Sequence, residues 1–155
     1  RSSWNTTVGA VSGALPMMIG YTAAGGSLTD VRGWLLVGVL VAWQYPHFMA
    51  IAWLYRRQYD EAGFRMSTTV EPTGVSAGWQ SVLGMVALIG CLVGLAITGN
   101  DGASVQSLVW IACLGLVSYP MTRAAIRFAF DRNDLTARKL LRASLLQLPA
   151  SLLLV

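Results

Sequence analysis

Charge is scarce in this chain. Asp, Glu, Lys and Arg make up 12% of its 155 residues, against 55% for apolar residues, and a soluble domain carries about a quarter charged residues. That balance excludes a water-soluble domain of this length. Strand-like alternation is absent and long apolar runs dominate, which points to an integral membrane protein of helical type. Cysteine is equally sparse: Cys91 and Cys113 each sit inside an apolar run (GCLVG and IACLG). No CxxC or Cys/His spacing exists, which argues against structural zinc and iron–sulfur centres and leaves both as small packing residues. The chain has no low-complexity stretch and no clear internal repeat. It opens on Arg1, with neither an initiator Met nor a signal-peptide pattern, and is expected to be a piece of a longer protein.

What is present is a series of apolar runs, at about 8–24, 34–54, 79–98, 105–122 and 143–155. The expected fold is all-α, a single membrane domain over 1–155 forming a polytopic bundle of about five transmembrane helices. The last run is shorter than the roughly 20 residues a span needs, so it is expected to be clipped. Charge supports the count. With five spans, every one of the 11 Lys and Arg residues except Arg32 falls on one side: Arg1, Arg56, Arg57, Arg65 and the cations from Arg123 to Arg142. The positive-inside rule makes that face cytoplasmic. Nucleic acid is a poor explanation for cations that lie at membrane edges. Small residues at helix-contact spacing, Gly9 with Gly13, Ala10 with Ala14, Gly84, and Gly90 with Gly94, predict close backbone approach. Pro16, Pro120 and Pro149 predict kinks.

One stretch carries chemistry, WQYPHFMAIAWLYRRQYDEAG over 43–63. Helical steps of three and four align Gln44, His47, Ile51, Tyr55 and Gln58 on one face, a mostly polar stripe entering the membrane. His47, the single histidine, would lie about 12 Å below Tyr55. At that depth an ionisable ring should face a bundle interior or a wet cavity, as a base, a proton carrier or a metal ligand. The plainer reading is a histidine bonded to the carbonyl that Pro46 frees. Tyr45 and Phe48 are too deep to be interfacial anchors, the role expected of Trp4, Trp34 and Trp79. They pack against lipid or line a pocket whose ring faces stabilise a cation. Next come Arg56, Arg57, Asp60 and Glu61. They form either a solvated helix end with pairs Arg56–Asp60 and Arg57–Glu61, or a site where carboxylates hold magnesium and arginines a polyphosphate.

These residues resemble a known family. Trp43-Gln44-Tyr45-Pro46-His47-Phe48, Ala50-Ile51-Ala52, Tyr59 and Ala62-Gly63 resemble the haem O synthases, the protoheme IX farnesyltransferases among UbiA-type membrane prenyltransferases. Arg1, Asn5, Val8-Gly9-Ala10, Gly13-Ala14-Leu15-Pro16 and Ile19-Gly20-Tyr21 agree with it. So do Asn133, Ala137-Arg138, Ser144-Leu145-Leu146 and Leu148-Pro149. The likeness runs along essentially the whole chain, and the block from Trp43 to Phe48 is its specific part.

The resemblance implies nine spans in the whole enzyme, of which these would be the C-terminal five. It implies transfer of a farnesyl group from farnesyl diphosphate to a vinyl group of haem b, giving haem O for terminal oxidases. Magnesium would be held mainly by an Asp-rich motif outside this chain, so the fragment alone would be inactive. His47, Tyr55 and Asn5 become candidate catalytic residues, with His47 ligating haem iron or handling protons. Arg1, Gln44, Tyr45, Phe48, Arg56 and Arg57 become candidate substrate-binding residues, and Asp60 and Glu61 candidate magnesium ligands. The family's acidic position before Tyr59 is Gln58 here, and the family often has Pro where this chain has Tyr45 and Arg65. The implied setting is the inner (plasma) membrane, active-site mouth toward the cytoplasm, with haem A synthase or oxidase-assembly proteins as partners. Rival readings keep the superfamily with a quinone precursor or another tetrapyrrole as acceptor, or make the chain a transporter or an assembly subunit. A transporter needs titratable groups across the bilayer, and an assembly subunit leaves the polar stripe unexplained.

Overall fold

The computed structural model describes residues 5–64, 66–99 and 104–154. They form α1 (Asn5–Ala23), α2 (Val31–Leu54), the short α3 (Arg56–Glu61) and α4 (Ser67–Val70), α5 (Val75–Thr98), α6 (Val105–Phe130) and α7 (Asp134–Leu154). The protein is an all-α, polytopic helical bundle. Three of these helices, α2, α5 and α6, are long and apolar enough to cross a membrane.

Consecutive long helices run antiparallel, as their contacts require. Tyr45 reaches Thr7 while Gly33 meets Met18, which reverses α2 against α1. Gly84 meets Pro46 while Gly94 meets Leu35, reversing α5 against α2. The main core joins α2, α5, α6 and α7 around Met49, Met85, Leu88, Met121, Phe128 and Leu140. A smaller cluster of Ala14, Met18 and Val37 seats α1 on α2.

Two of the expected small-residue contacts are tight. Gly84 lies so close to α2 that a Cβ would stand 2.7 Å from Pro46 Cδ and 2.9 Å from the Ala42 carbonyl oxygen. Ala42 is four residues before Pro46, so its carbonyl is the one the proline leaves without a helical donor; α5 backbone covers it. Ala10 and Ala14 are fully buried. Gly90, by contrast, has open space around its Cα. Pro16, Pro46, Pro120 and Pro149 all lie inside continuous helices.

The helices do not stop where apolar content falls. α6 continues past residue 122 to Phe130, and α7 starts at Asp134 rather than near 143. The basic segment between them is therefore helical, and its connection is only residues 131–133. Alanine, leucine and the long cations are strong helix formers. Ala124, Ala125, Phe128 and Ala137 give the extension a buried face, while Arg123, Arg127, Arg138, Lys139 and Arg142 stay exposed. Asn133 starts α7 by accepting the Thr136 N–H at 2.8 Å, an Asn cap. Arg132 donates to the Thr73 carbonyl at 3.0 Å and ties this turn to the α4–α5 loop. In that loop Gly74 (φ +71°) must be glycine, because a Cβ there would sit 2.3 Å from the Trp53 ring. Among the described residues, Arg56, Arg57 and the cations from Arg123 to Arg142 thus gather at one end of the bundle, and Arg32 lies at the other beside Gly99.

Candidate functional site

The polar stripe expected along 44–58 is interrupted. α2 ends at Leu54, and Tyr55 (φ −106°, ψ 19°) separates it from α3. Gln44 and His47 also serve different neighbours. Gln44 is buried and donates from Nε2 to the Ala10 carbonyl of α1 at 3.1 Å. His47 is half-buried and faces α7, with Nδ1 2.8 Å from the Ser144 hydroxyl.

Three groups fix the imidazole. Trp43, one turn earlier, stacks on it with centroids 4.6 Å apart and planes within 19°. The same indole donates from Nε1 to the Ser144 carbonyl at 2.8 Å. Phe48 lies tilted against the ring at 5.7 Å. Ser144 Oγ also stands 2.7 Å from the Leu141 carbonyl. The hydroxyl has one proton. If that proton goes to Leu141, Nδ1–H can donate to Oγ and both contacts are hydrogen bonds; the reverse tautomer gives one up. The geometry thus favours a proton on Nδ1 and a lone pair on Nε2, the state a base or an iron ligand requires.

Tyr45 turns toward α1, its hydroxyl 3.1 Å from Thr7 Oγ1, and lines an apolar groove of about 620 Å³ between α2 and α5. Tyr55 is 51% exposed at the cationic end. Arg56 is held there: it donates to the Trp53 carbonyl at 2.6 Å and to Asp134 at 2.9 Å, with its guanidinium 4.5 Å above the Trp53 ring. That corrects the expected Arg56–Asp60 pair, because Asp134 of α7 is the partner. Among the described residues no Arg57–Glu61 pair forms, and Arg57, Gln58, Asp60 and Glu61 are exposed. Asn5 opens α1, with its side chain outside the description; Arg1, Trp4 and Arg65 lie outside the described residues. Asp60 and Glu61 do not fit a magnesium site by themselves. No group of three or more His, Cys, Asp or Glu side chains converges among the described residues, and adjacent helical positions diverge by about 100°.

His47 with Ser144 and Arg56 with Asp134 set the register of α7 along α2, at two levels about 14 Å apart. Ser144 and Asp134 had no assigned role in the sequence reading. Each partner lies far along the chain, so no local spacing signals it. Only the Trp43–His47 interval, one helical turn, could have suggested the stacking.

The whole arrangement, a histidine on an apolar helix below a cationic end, lies within residues 1–146, which match the model of the UbiA prenyltransferase family. The chain belongs to that family. Its similarity to curated members is close. It is 59% identical to the protoheme IX farnesyltransferase of Rhodopirellula baltica, over 100% of this chain and 55% of that protein. It is 40% identical to that of Solibacter usitatus, over 96% of this chain and 49% of that protein. The mitochondrial protoheme IX farnesyltransferase of Homo sapiens is 37% identical over 97% of this chain and 32% of that protein. The chain thus spans about half the length of the bacterial relatives. No solved structure matches it.

Proposed function

We propose that the protein of which this chain forms part transfers a farnesyl group from farnesyl diphosphate to a vinyl group of haem b, producing haem O. The observation that carries the reading is the imidazole of His47, held by Trp43 and Ser144 inside a membrane helix below a cationic end. The likeness to protoheme IX farnesyltransferases supports the choice of substrates.

Farnesyl transfer breaks the allylic C–O bond, and diphosphate leaves with the bonding pair. The vinyl π electrons attack the allylic carbon, water adds to the resulting cation, and one water proton is lost. Nε2 of His47 accepts that proton or ligates the haem iron; either role needs the lone pair that the Ser144 contact favours. Phe48, tilted against His47, offers a ring face to the developing cation, while Tyr45 serves the substrate from the separate groove between α2 and α5 and Gln44 ties α1 to α2. Arg57 and Tyr55 at the cationic end meet the diphosphate or the haem propionates, and Arg1 and Asn5 share that role as the resemblance implies. Arg56 contributes charge from its place between Trp53 and Asp134. Magnesium belongs to the whole enzyme, with its main ligands outside this chain and Asp60 and Glu61 at most lending charge nearby.

This reading takes 1–155 as one membrane-domain fragment with α1 and α7 as further spans, five of an enzyme total of nine. It places the cationic end at the cytoplasmic face of the inner membrane, with haem A synthase or oxidase-assembly proteins as partners. The test is the full-length protein in membranes with haem b, magnesium and farnesyl diphosphate, read by mass spectrometry for a farnesylated haem. Conversion is expected for the wild type and near-complete loss for His47→Ala. A folded, haem-loaded wild type that makes no such product refutes the proposal.

A further inference from the structure

A second cavity lies away from His47, in the cleft between the C-terminal half of α6 and the first turns of α7, with a volume of about 710 Å³. Arg123, Arg127 and Lys139 line it, together with one carboxylate, Asp131. All four are exposed, and none of the three cations forms an ion pair among the described residues. The deeper end is Tyr119, Pro120 and Ala143. Beyond it, one helical step along each face, Leu116 and Leu146 are 77% and 75% exposed.

We propose that this cleft binds the phosphate headgroup of an anionic membrane phospholipid, with its acyl chains lying along Leu116 and Leu146. Three exposed cations at the membrane-edge ends of two helices attract the anionic headgroups of the adjoining leaflet. Asp131 balances only one of them. Arg123 and Arg127 are one turn apart, about 6 Å, and Lys139 faces them from α7, so a phosphodiester between the helices would meet all three. The apolar continuation toward the bilayer centre matches acyl chains rather than a soluble anion. Basic clefts between membrane helices are a recognised form of lipid headgroup site. The inference does not depend on which reaction the enzyme performs.

The test is native mass spectrometry of the full-length protein in mild detergent with phosphatidylglycerol or phosphatidylcholine, and photo-crosslinking with a photoactivatable phosphatidylglycerol. Retained phosphatidylglycerol should exceed phosphatidylcholine, and crosslinks should map to peptides within 116–146. Each of Arg123→Gln, Arg127→Gln and Lys139→Gln should lower retention about fivefold, at about 1 kcal/mol per cation. Soluble glycerol phosphate in excess should not displace the lipid. Equal retention of the two lipids, crosslinks confined to other regions, or displacement by glycerol phosphate would overturn the proposal. These three arms use the wild type, so poor folding of a variant leaves the test intact. Crosslinks lost because another part of the full-length protein covers the cleft would overturn it as well.

Discussion

Replacing Gly84 by alanine tests the contact that seats the histidine helix. The new Cβ would stand 2.7 Å from Pro46 Cδ, 2.8 Å from Tyr45 Cβ and 2.9 Å from the Ala42 carbonyl oxygen. Carbon pairs rest at about 3.5–4.0 Å, so the carbon overlaps approach about 1 Å. None of the three atoms lies at the end of a flexible side chain: one is in a proline ring, one is a Cβ and one is backbone. Relief requires α5 to move away from α2, and overpacking of this kind costs about 1–3 kcal/mol. Gly90→Ala on the same helix is the control, because nothing lies within 4 Å of its added carbon. That change should stabilise α5 by up to about 1 kcal/mol through helix propensity. Both substitutions share that propensity gain, so the expected gap between them is the overpacking cost alone, about 1–3 kcal/mol in reversible unfolding of the full-length protein in mixed micelles. Gly84→Ala should also depress the farnesyl transfer proposed above, since Pro46 adjoins His47. A Gly84→Ala protein as stable as Gly90→Ala would refute the close-packing argument.

Ser144→Ala removes the acceptor for His47 Nδ1–H, a bond worth about 1 kcal/mol. It should lower kcat about fivefold with KM for farnesyl diphosphate little changed, and Ser144→Thr should recover part of the loss; an unchanged kcat would make the contact incidental. Trp43→Phe keeps the stack on His47 but deletes the bond to the Ser144 carbonyl, so stability should fall by about 1 kcal/mol, measured by the same unfolding. Glu71 is held below the usual glutamate range by the Thr73 hydroxyl first, then by the Ser76 N–H. Its carboxylate accepts the Ser76 N–H at 2.8 Å at the start of α5, so its help is present above the unfolded pKa. That help is lost as pH falls through the folded value, which lies below the ordinary glutamate pKa. Ser76 amide exchange, corrected for its intrinsic rate, should accelerate on acidification in the wild type and not in Glu71→Gln. Asp134→Asn, which weakens only the ion pair with Arg56, should cost no more than about 1 kcal/mol in the same unfolding, because that pair is partly exposed at 31% and 55%.

The helical class was legible because apolar composition records what surrounds a helix, and here lipid surrounds most of it. The same signal misplaces helix ends. Apolar content drops after residue 122 and returns near 143, yet hydrogen bonding in α6 and α7 runs on to within three residues of each other. Composition marks where the surroundings change, whereas capping marks where the helix stops. At the other boundary the sequence contains no breaker between Leu54 and Glu61, and α2 ends where Arg56 folds back on the Trp53 carbonyl and reaches Asp134. That stop is tertiary and leaves no local trace.

The polar stripe shows the limit of helical arithmetic more sharply. Gln44 and His47 are three residues apart, about 60° around the axis at 100° per residue. From sequence that reads as one face, but 60° is enough for two helices to share it: α1 takes Gln44 and α7 takes His47. Periodicity identifies which residues turn inward; it cannot say which neighbour receives each of them. For His47 that neighbour matters chemically, because a serine that already donates to its own helix favours a ring with its proton on Nδ1. An alanine at 144 would leave the helix pattern unchanged and the imidazole free to choose either tautomer. The residue with the clearest sequence signal thus depends, for its chemical state, on one that the family likeness included but to which no spacing gave a role.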